Sequence, residues 1–180
     1  MIETDRLILK PMEEEDRAWF RAQATDALVM RHLGGPQTIA AADAKFDSNR
    51  ALLAEYGFTF WLLVEKAGGE RIGICGLKAV DAPGAKVAHG HVEIGWRLSP
   101  PWWGKGYARE AASAALDHAF AITGAPAVVA FTSSDNVESW GLMERLGMTR
   151  RADLDFDDPR YPPDANPTIV YLIEASQWKA

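Results

Sequence analysis

An α/β (α+β) fold, a central sheet flanked by helices, is predicted by three stretches of the chain. His91 to Leu98 alternates strictly, with Val92, Ile94, Trp96 and Leu98 on one face and His91, Glu93 and Arg97 on the other, the period of a half-buried strand. From Ala108 the period changes. Ala111, Ala112, Ala115, Leu116, Ala119 and Phe120 follow at three- and four-residue spacing, as in a helix over 104–122 that stops near Gly124 and Pro126. Ala127 to Phe131 is a continuous apolar run, the mark of a central strand covered on both faces.

The remaining elements fall around these. Arg6 to Lys10 is a short strand ended by Pro11, and Glu13 to Asp16 place acids at a helix start, where they suit the dipole, ahead of an apolar stripe of Trp19, Phe20 and Ala24. A turn at Gly34-Gly35-Pro36 leads to an alanine-rich helix over 38–56. Phe58 to Glu65 and Arg71 to Val80 read as a hairpin, and His91 to Leu98 is the third strand of that meander. Asn136 to Leu146 forms a helix ended by Gly147, and Met148 to Arg151 opens a strand. Asp153 to Pro167 is an acidic, proline-rich loop, and Thr168 to Ile173 closes the sheet. No repeat or low-complexity tract interrupts, so a single domain over 1–180 is expected.

At 180 residues, 48% of them hydrophobic, folding hides roughly 70% of the extended chain's surface, enough for a core without disulfides or a structural metal. The 19 Lys and Arg against 25 Asp and Glu leave a net charge of −6, with no basic cluster. That speaks against nucleic acid or an anionic membrane as a partner and leaves cationic amines welcome. The one cysteine, Cys75, sits in an apolar strand, so no disulfide within the chain is available and a reducing compartment fits. No apolar stretch approaches the roughly 20 residues of a membrane span, and the acidic N-terminus carries no cleavage signal; a cytoplasmic protein is expected.

The chemistry begins at Trp102-Trp103-Gly104-Lys105-Gly106-Tyr107-Ala108, which passes from strand to helix through two glycines. Glycines there let backbone N–H groups approach an anion, and the helix start adds the positive end of its dipole, so a phosphate or pyrophosphate site follows, unless the glycines only make the turn. Two rival phosphate loops fail on spacing. A dinucleotide fingerprint needs glycine where Arg109 stands, and a triphosphate loop needs Ser or Thr where Gly106 stands.

At these residues the sequence closely resembles the GNAT superfamily of acyl-CoA-dependent N-acyltransferases, whose Q/R-x-x-G-x-G/A motif lies at the same turn. Trp103 takes its first position, Gly106 the fourth and Ala108 the sixth. Tryptophan in place of Gln or Arg is similar to the branch of ribosomal-protein N-terminal acetyltransferases of the RimJ/RimL type. Glu3 to Leu9 resembles that branch's first strand. Asn136-Val137-Glu138-Ser139 with Glu144-Arg145-Leu146-Gly147-Met148 resembles its N-x-x-S…E-K-L-G-F helix, and Ile169 to Leu172 with Trp178 its last strand and tail. The resemblance implies a mixed, mostly antiparallel sheet of six to seven strands, about four helices, and splayed central strands holding CoA. It further implies acetyl-CoA as cosubstrate, no metal, and an amine acceptor that is a small molecule or a peptide N-terminus; it is compatible with a homodimer.

Roles follow from the same resemblance. The pyrophosphate would rest on the N–H groups of Trp103, Gly104, Lys105, Gly106, Tyr107 and Ala108. The pantetheine arm would pair like an added strand near Leu98, whose N–H also meets the thioester oxygen, and Asn136 would contact that arm, with a helix N-cap as its other reading. An alkyl ammonium, with a pKa of about 10, must lose a proton to a base before it attacks. Glu93 is the candidate, against a plain strand carboxylate, and His91 on the same face shares the task or is an edge histidine. His89 and His91 lack the further ligands a metal needs. Where many members carry a thiol-protonating Tyr seven residues after the Asn, this chain has Met143; Ser139 then hydrogen-bonds the sulfur, or packs on the helix face while the thiolate leaves unaided. The acidic run Asp153 to Asp158 would attract an ammonium group at the acceptor mouth, or stand as a solvated loop. Trp19, Trp61 and Trp102 line the acceptor pocket or pack the core, core packing being favoured for most tryptophans. A CoA-binding sensor or interaction module without turnover is the competing reading, favoured by Met143 and opposed by Glu93.

Overall fold

The computed structural model describes residues 1–87 and 91–179. In chain order its elements are β1 (Ile2–Glu3), β2 (Leu7–Lys10), α1 (Arg17–Thr25), α2 (Ile39–Tyr56), β3 (Phe60–Glu65), β4 (Arg71–Ala79), β5 (Val92–Leu98), α3 (Tyr107–His118), β6 (Ala127–Thr132), α4 (Val137–Arg145), β7 (Thr149–Arg150) and β8 (Ile169–Glu174). The strands form one eight-stranded sheet in the order β1-β2-β3-β4-β5-β6-β8-β7, antiparallel except for the central β5–β6 pair. This is the expected mixed sheet with four helices. It exceeds the expected six to seven strands through the two-residue β1, too short to leave a hydrophobic period.

The two faces are covered by different helices. Asp16 closes the capping box of the short turn that leads into α1 by accepting from the Glu13 amide at 2.9 Å, and Thr38 caps α2 by accepting from the Ala41 amide at 3.2 Å. Phe20 of α1 meets Phe46 of α2 edge to face, with ring centres 5.6 Å apart, and both press on Leu62 and Ile74 of the sheet. On the opposite face the alanine stripe of α3 and Leu142 and Met143 of α4 pack on Leu77, Ile94, Val128 and Tyr171. A third cluster, Ala82, Val129, Phe156, Val170 and Leu172, shares the α1–α2 side, so Glu93 and Arg97 lie on the sheet face between it and α1. Cys75 is buried and unpaired, as expected. Among the described residues no helix is long and apolar enough to cross a membrane.

The parallel seam matters most. β5 and β6 pair only at Val92↔Val128 and Glu93↔Val129, although β5 continues to Leu98 and β6 to Thr132. Each strand follows its own antiparallel neighbour instead: β5 stays in register with β4 up to Gly73↔Leu98, and β6 with β8 up to Thr132↔Ile169. With the sheet twisting between them, the seam opens into a splay.

Candidate active site

The register decides which backbone groups face the splay. The Ser99 amide donates to the Ile72 carbonyl at 2.8 Å, just beyond the Gly73↔Leu98 pair, so odd-numbered residues of β5 bond to β4. The N–H and C=O groups of Ile94, Trp96 and Leu98 therefore point the other way, into the gap. The Leu98 carbonyl is taken by the Trp103 indole N–H at 2.7 Å, which ties the glycine turn to the strand end. A short turn at Pro100–Trp102 then delivers the chain to Gly106, the N-cap of α3, with φ at +83°. Only glycine adopts that angle without strain, and a Cβ there would come within 3.3 Å of the Arg6 guanidinium. Tyr107, Ala108 and Arg109 head the helix with N–H groups that have no intrahelical partner.

Below the turn lies a brace. Glu110 Oε1 accepts from Thr4 Oγ1 at 2.5 Å and from the Arg6 amide at 2.8 Å, Oε2 accepts from Arg6 Nε at 2.6 Å, and Arg6 Nη1 donates to the Lys105 carbonyl at 3.0 Å. Burial alone would raise the Glu110 carboxyl, but these bonds from Thr4 and Arg6 hold it below its ordinary value. The one carboxylate in the first turn of α3 is thereby turned away from the free N–H groups and neutralised, which keeps the turn fit for an anion.

Glu93 faces the α1–α2 side of the sheet. Its Oε2 lies 3.2 Å from Lys78 Nζ as an ionic contact without a directed hydrogen bond, and Lys78 also reaches Asp81 at 2.6 Å. Burial pushes the Glu93 carboxyl above the ordinary range, against the pull of Lys78. Burial would likewise lower Lys78, yet Glu93 and Asp81 hold it above its usual value. Arg160 continues the chain of charges, 3.6 Å from Asp81 and 2.5 Å from the buried Asp158.

At the far rim of the splay, Asn136 N-caps α4 by position, but its side chain makes no cap bond; Nδ2 donates to Thr132 Oγ1 at 3.0 Å, the last residue of β6. Ser139 lies one turn further on and is half-buried. The α1–α2 connection spans both rims: the Arg31 guanidinium stands 5.1 Å over the Trp103 ring and 3.3 Å from Glu138, and His32 Nδ1 is 3.4 Å from Asp135.

A family model described as Acetyltransferase (GNAT) domain matches residues 6–149. The chain belongs to the GNAT acetyltransferases. Among relatives of this GNAT enzyme is the uncharacterized protein YkkB of Bacillus subtilis (strain 168), 31% identical over 146 residues, which is 81% of this chain and 83% of YkkB. An acetyltransferase from Agrobacterium tumefaciens str. C58 is similar with a TM-score of 0.78 at 28% identity, over 96% of this chain and 93% of that one. Spermidine N-acetyltransferase from Vibrio cholerae, solved with CoA and spermine, shares the fold at a TM-score of 0.76 and 17% identity, over 97% and 98% of the two chains. Membership makes the protein an acetyl-CoA-dependent acyltransferase.

Within the GNAT fold, Trp103 to Ala108 stand at the mouth of the splay, Leu98 on the β5 side and Asn136 at the end of β6, with Glu93 at the closed end; Ser139 lies in the first turn of α4. Three expectations need correction. The helix of the phosphate loop begins at Tyr107 rather than Gly104, because Gly104 and Gly106 both hold left-handed φ and form the turn itself. Asn136 holds the N-cap position without a side-chain cap: its Oδ1 accepts from no helix N–H, and its Nδ2 donates to Thr132 Oγ1. The acidic run is only in part an open anionic patch, because Asp153 pairs with Arg151, Asp155 with Arg150 and Asp158 with Arg160, which leaves the exposed Asp157. Trp61 is core, as favoured from sequence for most tryptophans, and Met143 is buried in the same cluster. His91 is half-buried at the head of β5, and His89 lies outside the described residues. The Thr4–Arg6–Glu110 brace and the Lys78–Asp81–Arg160 chain were not anticipated. Their signal was weak: single charges beside strand ends whose partners, apart from the i,i+3 pair Lys78–Asp81, lie far off in sequence.

Proposed function

We propose that this GNAT enzyme transfers the acetyl group of acetyl-CoA to a primary amine, a peptide N-terminal amine being the acceptor the RimJ/RimL-like motifs suggest, and that residues 1–180 act as one cytoplasmic domain. The observation that carries the reading is the splay: a strand edge whose alternate N–H groups lead without interruption to a glycine turn and free helix N–H groups. The N–H groups of Trp103 to Ala108 hold the pyrophosphate, Asn136 and the edge of β5 hold the arm, and the Leu98 N–H stabilises the oxyanion, a donor worth roughly 3 kcal/mol in a dry site. Glu93 takes the proton of the amine, directly or through water, as the N–C bond forms and the C–S bond breaks. Burial raises its pKa above that of a free carboxylate, which makes its anion the stronger base. Ser139 donates a hydrogen bond to the departing sulfur, which leaves as thiolate and takes up a proton from solvent.

Met143, buried where many members carry an acidic Tyr, supports the second reading, a CoA-binding module without turnover. Calorimetry with acetyl-CoA, on the native protein and on Gly106→Trp, combined with thiol release over a panel of amines and peptides, separates the two. Micromolar binding lost in the variant together with turnover supports the enzyme; binding without turnover on any amine favours the module; a folded native protein that binds no CoA ester overturns both.

A further inference from the structure

The polar face of β5 carries Glu93, Gly95 and Arg97 in succession. Gly95 leaves space between the two charges that the Phe60 ring partly fills, its carbons 3.0 and 3.2 Å from where a Cβ would stand. Arg97 differs from the protein's other buried or half-buried charges. Its guanidinium stands 5.2 Å over the Phe20 ring, Nη1 lies 3.2 Å from the Met30 thioether, and Nη2 is sealed from solvent without a hydrogen-bond partner. Among the described residues no carboxylate lies within ion-pair distance of it, whereas Arg6, Arg17, Arg21, Arg71, Arg150 and Arg160 each hold one. Burial with nothing to offset it pushes its pKa down to about 10, so it stays cationic at neutral pH. A desolvated guanidinium without a partner is costly, and its planar fork matches a carboxylate.

Resting on the acyl-transfer reading above, we infer that Arg97 is the specificity residue of the acceptor site and that the acceptor is a primary amine bearing a carboxylate, which pairs with the Arg97 guanidinium. The position supports this. Arg97 is adjacent to Leu98, whose N–H faces the splay, and Glu93 stands four residues back on the same face, about 13 Å along the strand. An acceptor lying along this face meets a cation at one end and the proton acceptor toward the other. Met30, unbranched and flexible, is the cover that yields to the carboxylate.

The test compares matched acceptors with acetyl-CoA by thiol release: an α-amino acid and its amide, an ω-amino acid and the alkylamine of the same length, and a dipeptide with and without a free C-terminal carboxylate. The native enzyme is expected to favour the carboxylate member of at least one pair by tenfold or more in kcat/KM, and the favoured pair tells which source the site accepts. Arg97→Met should erase that preference while binding acetyl-CoA normally, and Arg97→Lys should restore part of it. Turnover without preference overturns this inference and leaves acyl transfer standing. Acetyl-CoA binding with no turnover of any carboxylate acceptor overturns the amino-carboxylate class, and failure to bind acetyl-CoA overturns the underlying reading.

Discussion

Asp16 and Arg97 are both charged groups taken out of water on the same side of the sheet, and they are treated in opposite ways. Asp16, fully buried, accepts from the Glu13 amide, from Arg71 Nε at 2.6 Å and from Lys10 Nζ at 3.2 Å. Arg97 has a thioether, an aromatic face and an orphan Nη2. The first arrangement joins β2, β4 and the start of α1 and leaves nothing for a ligand to add. The second carries an uncompensated cost, which a scaffold residue has no reason to bear and a binding residue recovers when its partner arrives.

This contrast is open to measurement. The largest effect is expected at Asp16→Ala, which strands two cations: about 3–5 kcal/mol of stability, or roughly 10 °C in Tm. Burial alone would raise the Asp16 carboxyl, but the Glu13 amide, Arg71 and Lys10 hold it below its ordinary 3.8. Its contribution is therefore present above that pH and lost as pH falls through the lowered value, so the deficit of the variant in denaturant unfolding should shrink in acid. A deficit that is the same at pH 7 and pH 2 would contradict the assignment.

Next in size, Glu93→Gln should lower turnover by about 10²–10⁴-fold, with the native kcat/KM rising as pH passes upward through the raised carboxyl pKa. The same shift has a stability sign. A folded pKa raised above the ordinary 4.5 means the folded state loses stability as pH rises past that value, so the variant should melt no lower than the native protein at pH 8. Near-native turnover in this variant would remove Glu93 from the mechanism. Arg97→Met tests the comparison directly: its Tm should equal or exceed the native one, because the desolvation cost leaves with the charge, whereas a loss resembling that of Asp16→Ala would make Arg97 part of the scaffold. Thr38→Ala, which removes one neutral cap at the start of α2, should cost about 1 kcal/mol and sets the scale of an ordinary hydrogen bond.

Strict alternation in 91–98 was enough to put Glu93 and Arg97 on one face, and the two glycines were enough to locate the turn that heads α3. The partners of those charges were another matter. Glu110 and Arg6 are 104 residues apart, and nothing local marks them as neighbours. The pairing of Asp153 and Asp155 with Arg151 and Arg150 is legible in charge arithmetic over a few residues, because each acid lies two to five positions from its arginine. Asp158 was hidden differently: its carboxylate is buried and answered by Arg160, so composition suggested an exposed anion where the fold made a structural one.

Local rules act through the chain's own period and turn chemistry, and these determined the order of elements, the strand faces and the glycine turn. Only tertiary structure decided the splay, the raised pKa of Glu93 and the isolation of Arg97. Each of these depends on which segments distant in sequence do, or do not, come close: β6 parts from β5 because each is held by a different neighbour, and the cost of a charge is set by the partners the fold brings to it or withholds.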